Sequence, residues 1–165
     1  MGLFSLFQKK PAPTILLSIL PDAAKQEIIR GNLPILKTNR IFLKAGEQCH
    51  YIDKAIFEKR TIRKRYVRKN VGYSMTGLFK GSHINMGSGN TEVTDNVLYE
   101  SFRGILYITN KHIIFVGEDG SFDKRVDELI AISPYSNCID LHFSSDKYRV
   151  FVPDGNIVNA VLQLL

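Results

Sequence analysis

Residues 104–117 read Gly104-Ile-Leu-Tyr-Ile-Thr-Asn-Lys-His-Ile-Ile-Phe-Val-Gly117, two dense apolar stretches joined by Asn110 and Lys111. Each stretch is rich in β-branched and aromatic residues and is too short for a typical helix. An Asn-led dipeptide suits the positive φ angles of a tight hairpin turn. The segment therefore predicts a β-hairpin that is buried on both faces.

The chain on either side of this hairpin carries further strand signals. Residues 138–143 alternate between apolar and polar side chains, which predicts a half-buried strand with Asp140 and His142 on the polar face. Tyr148, Val150 and Val152 repeat the pattern in the next strand. Five glycines between Gly72 and Gly89 predict several short strands joined by turns or bulges.

Two helices are expected, one near each end. Pro21 suits a first helical turn and Gly31 suits the position just past the last one, so a short helix is predicted from about Pro21 to Arg30. Near the C-terminus the apolar residues of 157–164 recur at i, i+3, i+4 and i+7, which is typical of an amphipathic helix, with an N-cap candidate at residues 154–156.

These signals together predict a mainly β protein with few helices. Residues 1–13 are interpreted as an N-terminal appendage and linker, residues 14–42 as a helical segment, and residues 43–165 as an antiparallel β-domain. Many short strands followed by one amphipathic helix predict a small barrel or sandwich whose open end the C-terminal helix closes.

The hairpin also resembles the signature of the GRAM and bacterial pleckstrin-homology-like (PH-like) families. The resemblance is carried by a glycine, apolar residues, Thr-Asn, a basic residue and a strand with Phe, which here are Gly104, Tyr107, Thr109, Asn110, Lys111 and Phe115. His112 stands near the place where arginine is usual. The resemblance implies a bent antiparallel barrel of seven strands capped by a C-terminal α-helix, laid over residues 43–165, with an elaboration at about 58–100.

Composition limits the class of protein. With 165 residues and 44% hydrophobic content, the chain can form one domain with a real core. Cys49 and Cys138 lack the spacing of a disulfide framework or a zinc site, so both are expected to be buried in a reducing compartment. No apolar run approaches the roughly 20 residues of a membrane-spanning helix. The chain is therefore predicted to be cytoplasmic.

Motifs for catalysis are absent from the sequence. The four histidines are scattered without ligand spacing, and the glycine-rich run that begins at Gly72 lacks the lysine of a phosphate-binding loop, because Leu78 follows Gly77. We therefore expect a protein that is not an enzyme and that needs neither a cofactor nor a metal.

The positive charge of the chain is concentrated in residues 59–69, here called the basic segment. Its seven cations are Lys59, Arg60, Arg63, Lys64, Arg65, Arg68 and Lys69. Without them, 15 of the 22 basic residues remain against 16 acidic ones, a net charge of −1. Seven cations repel one another unless a partner offsets them, which predicts binding to an anionic lipid surface. The alternative is a solvated edge strand whose charges prevent aggregation.

The N-terminus adds a second candidate membrane contact. Phe4 and Phe7 precede Lys9 and Lys10, an apolar-then-basic order that suits a lipid interface. We interpret the two phenylalanines as candidate membrane wedges, and the protein as peripheral at the inner face of the membrane. The alternative is an appendage that docks on the domain or remains disordered.

Two other functions remain open on the sequence. A sheet edge, or the groove beside the C-terminal helix, could bind a protein partner. Nucleic-acid binding is the third possibility, because Tyr66 lies among cations and could stack on unpaired bases. Tyr66 is expected instead to pack on the sheet, which makes nucleic acid the weaker alternative. The leading hypothesis is a non-catalytic binding module that engages anionic lipid.

Overall fold

The computed structural model describes residues 16–76 and 83–165, with side chains omitted for residues 67–76, 83–90 and 94. The chain divides into two compact units. One, called the body, contains the described residues up to Lys59 and those from Ser101 to Leu165. The other, called the ribbon, is Arg60–Glu100 and contains the later part of the first strand and the earlier part of the second.

The described residues form one seven-stranded antiparallel sheet and two α-helices, so the expectation of a mainly β fold is confirmed. The strands follow the order β4-β3-β2-β1-β7-β6-β5 across the sheet. Their bounds are β1 Cys49–Thr76, β2 His83–Thr109, β3 His112–Gly117, β4 Ser121–Arg125, β5 Leu129–Pro134, β6 Cys138–Phe143 and β7 Lys147–Phe151. A 3₁₀ turn, Val126–Glu128, joins β4 to β5.

The predicted hairpin is β2 and β3, which pair in register from Gly104 opposite Gly117 to Ile108 opposite Ile113. The prediction of positive φ angles in its turn is wrong, because no described residue other than glycine has a positive φ. The Thr109 hydroxyl instead accepts hydrogen bonds from the backbone N–H groups of Lys111 at 3.1 Å and His112 at 2.8 Å. A side chain thus satisfies the turn without left-handed backbone.

Burial of the hairpin is uneven. Residues 106–109 of β2 are all buried, so this strand is covered on both faces as expected. On β3 only Ile113 and Phe115 are buried, while Val116 on the other face is exposed. The expectation of full burial is therefore wrong for β3, whose second face is only partly covered.

The core shows that the sheet of the body curls upon itself. Phe122 on β4 stacks on Tyr148 of β7 with ring centroids 4.8 Å apart, although three strands separate β4 from β7 in the sheet order. Phe57 on β1 lies between them and contacts both rings, at 5.0 Å and 5.1 Å. A right-twisted sheet that bends in this way can enclose its own apolar face.

On the predicted polar face of β6, Asp140 is buried and His142 is half-buried, which corrects the expectation of a strand with one exposed face. The side chain of Asp140 is only 1% exposed. It accepts two hydrogen bonds from Arg149 of β7, at 2.7 Å and 2.8 Å. Hydrogen bonding by Arg149 lowers the pKa of Asp140. Alternation in the sequence could not reveal that the second face is covered by a paired arginine.

Both predicted helices are present. Helix α1, Asp22–Ile29, follows Pro21, and Gly31 just beyond it has φ +85°. Helix α2, Gly155–Leu164, follows the N-cap residue Asp154, whose side chain accepts a hydrogen bond from the backbone N–H of Asn156 at 2.9 Å. It packs on β5, β6 and α1. The C-terminal helix therefore caps the curled sheet as predicted, and its buried face extends the core through Ile157, Val158, Val161 and Leu162.

The length of the strands in the glycine-rich region differs from the prediction. Several short strands were expected between Gly72 and Gly89, yet β1 runs without interruption to Thr76 and β2 begins at His83. Gly77 and Gly81 lie outside the described residues. Two neighbouring antiparallel strands can satisfy each other's backbone groups over a long distance, so glycine within them does not by itself end a strand.

Candidate functional site

The basic segment lies on β1, and each of its cations whose side chain is described is exposed. Lys59, Arg60, Arg63, Lys64 and Arg65 are all exposed. Arg68 and Lys69 belong to the same strand, beyond the last described side chain of β1, which is Tyr66. Five of the seven predicted cations can therefore reach a ligand in solution.

Alternation along the strand divides these side chains between two faces. Successive side chains of a β-strand point to opposite faces. One face carries Lys59, Arg63 and Arg65, so it is dominated by charge. The other carries two cations and two apolar residues in strict alternation, namely Arg60, Ile62, Lys64 and Tyr66, all of them exposed.

The exposure of the Tyr66 side chain differs from the prediction. We expected the ring to pack on the sheet, but its side chain is 67% exposed. Ile62 is exposed as well. Neither apolar side chain contributes to a core. Two paired strands form a single layer, and these side chains have no second layer packed over them. The second face therefore presents a mixture of positive charge and apolar surface to solvent.

The basic segment begins where the pairing of β1 with β7 ends. The recorded pairs of β1 with β7 are Ile56–Phe151, Phe57–Val150 and Glu58–Arg149. The cations of residues 59–65 thus follow the last of these pairs. Charges at this place also protect a strand edge from pairing with another chain.

The two predicted membrane wedges cannot be placed. Phe4 and Phe7 lie outside the described residues. Their role stays a prediction from the sequence.

The residues that carry the sequence resemblance form a junction in the body, between the hairpin turn and the segment before β1, with Asn110 and Lys111 exposed at its surface. Asn110 makes three hydrogen bonds there: its N–H donates to the Gln48 carbonyl at 3.0 Å, its Oδ1 accepts from the Gln48 N–H at 2.9 Å, and its Nδ2 donates to the Gly46 carbonyl at 3.0 Å. Lys111 Nζ donates to the Ala45 carbonyl at 3.1 Å. Tyr107 and Phe115 are buried. These residues thus stabilise the fold at this turn.

Gly104 serves the fold for a steric reason. A β-carbon at this position would overlap the carbonyl oxygen of Val116 on the neighbouring strand. Only glycine allows β2 and β3 to approach so closely there.

Glu47 supplies a buried negative charge to the junction. Its carboxylate is buried and accepts hydrogen bonds from the Thr109 hydroxyl at 2.6 Å and from the Lys44 N–H at 3.0 Å, and it lies 2.8 Å from His112 Nδ1. Burial alone would raise the pKa of Glu47, but hydrogen bonds from Thr109, His112 and Lys44 lower it to about 2. The carboxylate is therefore ionised at neutral pH and holds the junction together.

A pocket opens beside this junction. Its volume is about 430 Å³ and its lining residues are Lys44, Asn110, Lys111, His112, Arg125, Val126 and Asp127. We call it the cationic pocket. Sequence reasoning missed Lys44 and Arg125 as site residues and assigned Lys111 only a structural role. No local sequence signal marks them, because Lys44, Lys111 and Arg125 lie far apart along the chain.

Metal-ligand clusters and membrane-spanning helices are both absent from the described residues. In residues 16–76 and 83–165, no group of three or more His, Cys, Asp or Glu side chains is placed to hold a metal ion. His50 is buried and its Nδ1 lies 2.8 Å from the Pro34 carbonyl. Cys49 and Cys138 are buried, as expected, and burial raises the pKa of Cys49 to about 11. No helix in this part of the chain has both the length and the apolar character needed to cross a membrane.

Comparison of the chain with models of known protein families, with curated proteins and with solved structures found no match.

Proposed function

We propose that this protein is a non-catalytic binding module that attaches peripherally to an anionic membrane surface through the basic segment. The observation that carries the proposal is the face of β1 on which two exposed cations alternate with two exposed apolar side chains, Arg60, Ile62, Lys64 and Tyr66. A surface of this composition matches a lipid interface, where cations meet phosphate groups and aromatic rings lie at headgroup level.

The expected free energy of binding agrees with reversible attachment. Each Lys or Arg near an anionic membrane contributes about 1 kcal/mol, so the five described cations cannot anchor the protein irreversibly. Contacts of Ile62 and Tyr66 with the interface would add to this attraction. The module would bind and leave a membrane as salt and lipid composition change, on the cytoplasmic side where anionic lipids are exposed.

The family assignment is part of the same proposal. The strand order β4-β3-β2-β1-β7-β6-β5 and the C-terminal helix packed on β5 and β6 support a PH-like barrel. The sequence resemblance at the hairpin supports it independently. A fold of this kind does not by itself assign lipid binding, which depends on the side chains of the basic segment.

Vesicle co-sedimentation tests the proposal. We expect the protein to pellet at low salt with phosphatidylserine-containing vesicles and to stay in the supernatant with phosphatidylcholine alone. The Arg60→Gln/Lys64→Gln variant should bind about thirtyfold more weakly, because two contributions of about 1 kcal/mol are lost. Tyr66→Ser should weaken binding with both charges retained.

The matched control is Lys37→Gln/Lys54→Gln, which removes the same charge from exposed lysines outside the basic segment. It should bind as the wild type does. Absence of pelleting at low salt, or an equal loss in this control, would contradict the proposal. The Arg63→Gln/Arg65→Gln variant then tells whether the purely charged face also contacts the membrane.

A protein-interaction module is the second candidate, and the exposed apolar side chains on the β2 part of the ribbon favour it. Val93, Val97 and Tyr99, which share one face of the strand, are exposed. A partner that covers them would be held by apolar burial and would stay bound at high salt. Binding that persists at high salt and is lost in Val93→Ser/Val97→Ser would favour this function over lipid attachment. Nucleic-acid binding would instead appear as retention that falls steeply with salt.

A further inference from the structure

The cationic pocket lies in the body and uses none of the residues of the basic segment. Its walls come from three places in the chain: residue 44, the β2–β3 turn at 110–112, and the end of β4 with the following 3₁₀ turn at 125–127. Its volume of about 430 Å³ falls within the range of small-ligand sites. The pocket is therefore large enough for a small organic molecule.

The charges that line the pocket are unbalanced. Lys44, Lys111 and Arg125 supply three positive charges and Asp127 one negative charge, which leaves an excess of two. A phosphate monoester carries between about −1.5 and −2 charges at neutral pH, so it would neutralise this excess, whereas a single carboxylate would not. Arginine also binds phosphate through two parallel N–H donors.

The pairing of Arg125 with Asp127 does not block a ligand. The two side chains form an ion pair, but they are 62% and 61% exposed. Exposed ion pairs contribute little to stability, so exchange of Asp127 for a phosphate oxygen costs little. Lys111 donates one hydrogen bond to the Ala45 carbonyl, and an ammonium group has two further donors.

The wall behind the cations is fixed before any ligand binds. Val126 donates its N–H to the Lys111 carbonyl at 2.9 Å, which ties the end of β4 to the hairpin turn. Glu47 holds His112 through Nδ1, so the ring nitrogen left for a ligand is Nε2. Asn110 is held by its three hydrogen bonds to residues 46 and 48. A preformed site of this kind loses little entropy when it binds.

We propose that the cationic pocket binds a small phosphate-bearing anion, with Lys44, Lys111 and Arg125 as the phosphate ligands. The site does not depend on attachment of the basic segment to a membrane. The phosphate belongs either to a soluble phosphate ester or to a lipid headgroup. Phe42 bears on this choice, because it lies two residues before Lys44 and is 89% exposed. A phenylalanine so exposed next to a headgroup site could insert into a membrane.

Titration with inorganic phosphate and with glycerol phosphate, followed by NMR and calorimetry, tests the pocket directly. We expect saturable binding in which the backbone amides of residues 44, 110–112 and 125–127 shift. Acetate, a monoanion, should bind at least about tenfold more weakly because it neutralises only part of the charge. Absence of saturation at millimolar phosphate, or shifts confined to residues 59–66, would overturn the proposal.

Substitutions in the pocket provide the second test. Arg125→Ala and Lys44→Ala should each weaken phosphate binding about tenfold or more, the loss expected for one charge-assisted hydrogen bond. Lys54→Ala removes an exposed lysine outside the pocket and should change affinity less than twofold. Thermal unfolding of each variant verifies that it is folded. An equal loss in Lys54→Ala would show that the effect is general electrostatics, which would overturn the assignment.

Two further arms separate the phosphate source and keep this proposal distinct from the previous one. Vesicles that contain phosphatidic acid present the same phosphomonoester on a lipid. If the ligand is a headgroup, Phe42→Ser weakens binding to these vesicles and leaves binding of glycerol phosphate unchanged; if it is soluble, Phe42→Ser changes neither. The Arg60→Gln/Lys64→Gln variant should bind glycerol phosphate as the wild type does. A loss in that variant would place the phosphate on the basic segment and overturn the pocket.

Discussion

The body and the ribbon use their polar side chains in opposite ways. In the body, buried polar groups such as Glu47, Asp53 and Asp140 each have close hydrogen-bond partners. No buried side-chain nitrogen or oxygen lacks a partner within the described residues. In the ribbon, Thr61 is the one described side chain that is even partly buried.

This difference separates the residues that hold the fold from those that are available for binding. The buried polar groups of the body are desolvated, so their loss leaves a buried partner unsatisfied. Charges of the ribbon are in water, and their removal changes stability little. The ribbon sequence is therefore free to follow the demands of solubility and of a partner, while the body sequence is constrained by packing.

The largest expected effect compares two aromatic rings, one in each region. Phe57→Ala should lower the free energy of unfolding by about 4 kcal/mol, because it removes a buried ring that contacts four others. Tyr66→Ala should cost less than about 0.5 kcal/mol because its ring is exposed. Urea unfolding followed by circular dichroism measures both. Similar costs for the two variants would break the distinction between body and ribbon.

The next effect is the acid sensitivity of the body. Glu47 has a pKa of about 2 in the folded protein against an ordinary value of 4.5. A lowered folded pKa stabilises the protein fully above about pH 4.5, and this stability is lost as the pH falls towards 2. The loss amounts to about 3 kcal/mol. In Glu47→Gln this part of the acid dependence should disappear.

Unfolding free energies measured between about pH 5 and pH 2 check this prediction. Glu118→Gln is the control, since Glu118 is an exposed acid of the body outside the junction. It should keep the wild-type dependence on pH. If Glu47→Gln keeps it as well, the junction is not the origin of acid sensitivity.

The smallest effect compares one capping hydrogen bond of the body with one charge of the ribbon. Asp154→Ala removes the hydrogen bond to the Asn156 N–H at the start of α2 and should cost about 1 kcal/mol. Arg63→Ala removes a full charge from the ribbon and should cost less than about 0.5 kcal/mol. Thermal unfolding of the two variants under the same conditions provides the comparison. An equal or larger cost for Arg63→Ala would mean that the ribbon charges do stabilise the fold.

Local signals in the sequence were sufficient for several elements of the body. The hairpin, both helices and the strand at Cys138–Phe143 were predictable because apolar periodicity, proline and glycine act within a few residues. The burial of Asp140 was not predictable, since it depends on Arg149 of the neighbouring strand. The role of Asn110 was misread for the same reason: its partners lie more than 60 positions earlier in the chain.

The basic segment and the cationic pocket also differ in how far the sequence predicts them. The basic segment is contiguous, so its charge was predictable from the sequence. Its cations are exposed because the described part of the ribbon is a single layer of two strands. The cationic pocket could not be found this way, because Lys44, Lys111 and Arg125 are brought together only by the hairpin turn and the end of β4.

By itself, the amino-acid sequence determined the β-rich class, the positions of the two helices and the concentration of positive charge in residues 59–69. These features depend on neighbours along the chain, whose spacing fixes periodicity and local charge. Only the tertiary structure decided which polar groups are buried with partners, which aromatic rings meet across the curled sheet, and which three cations share a pocket. Such pairings join residues far apart in sequence, and chain closure and packing select them rather than any local pattern.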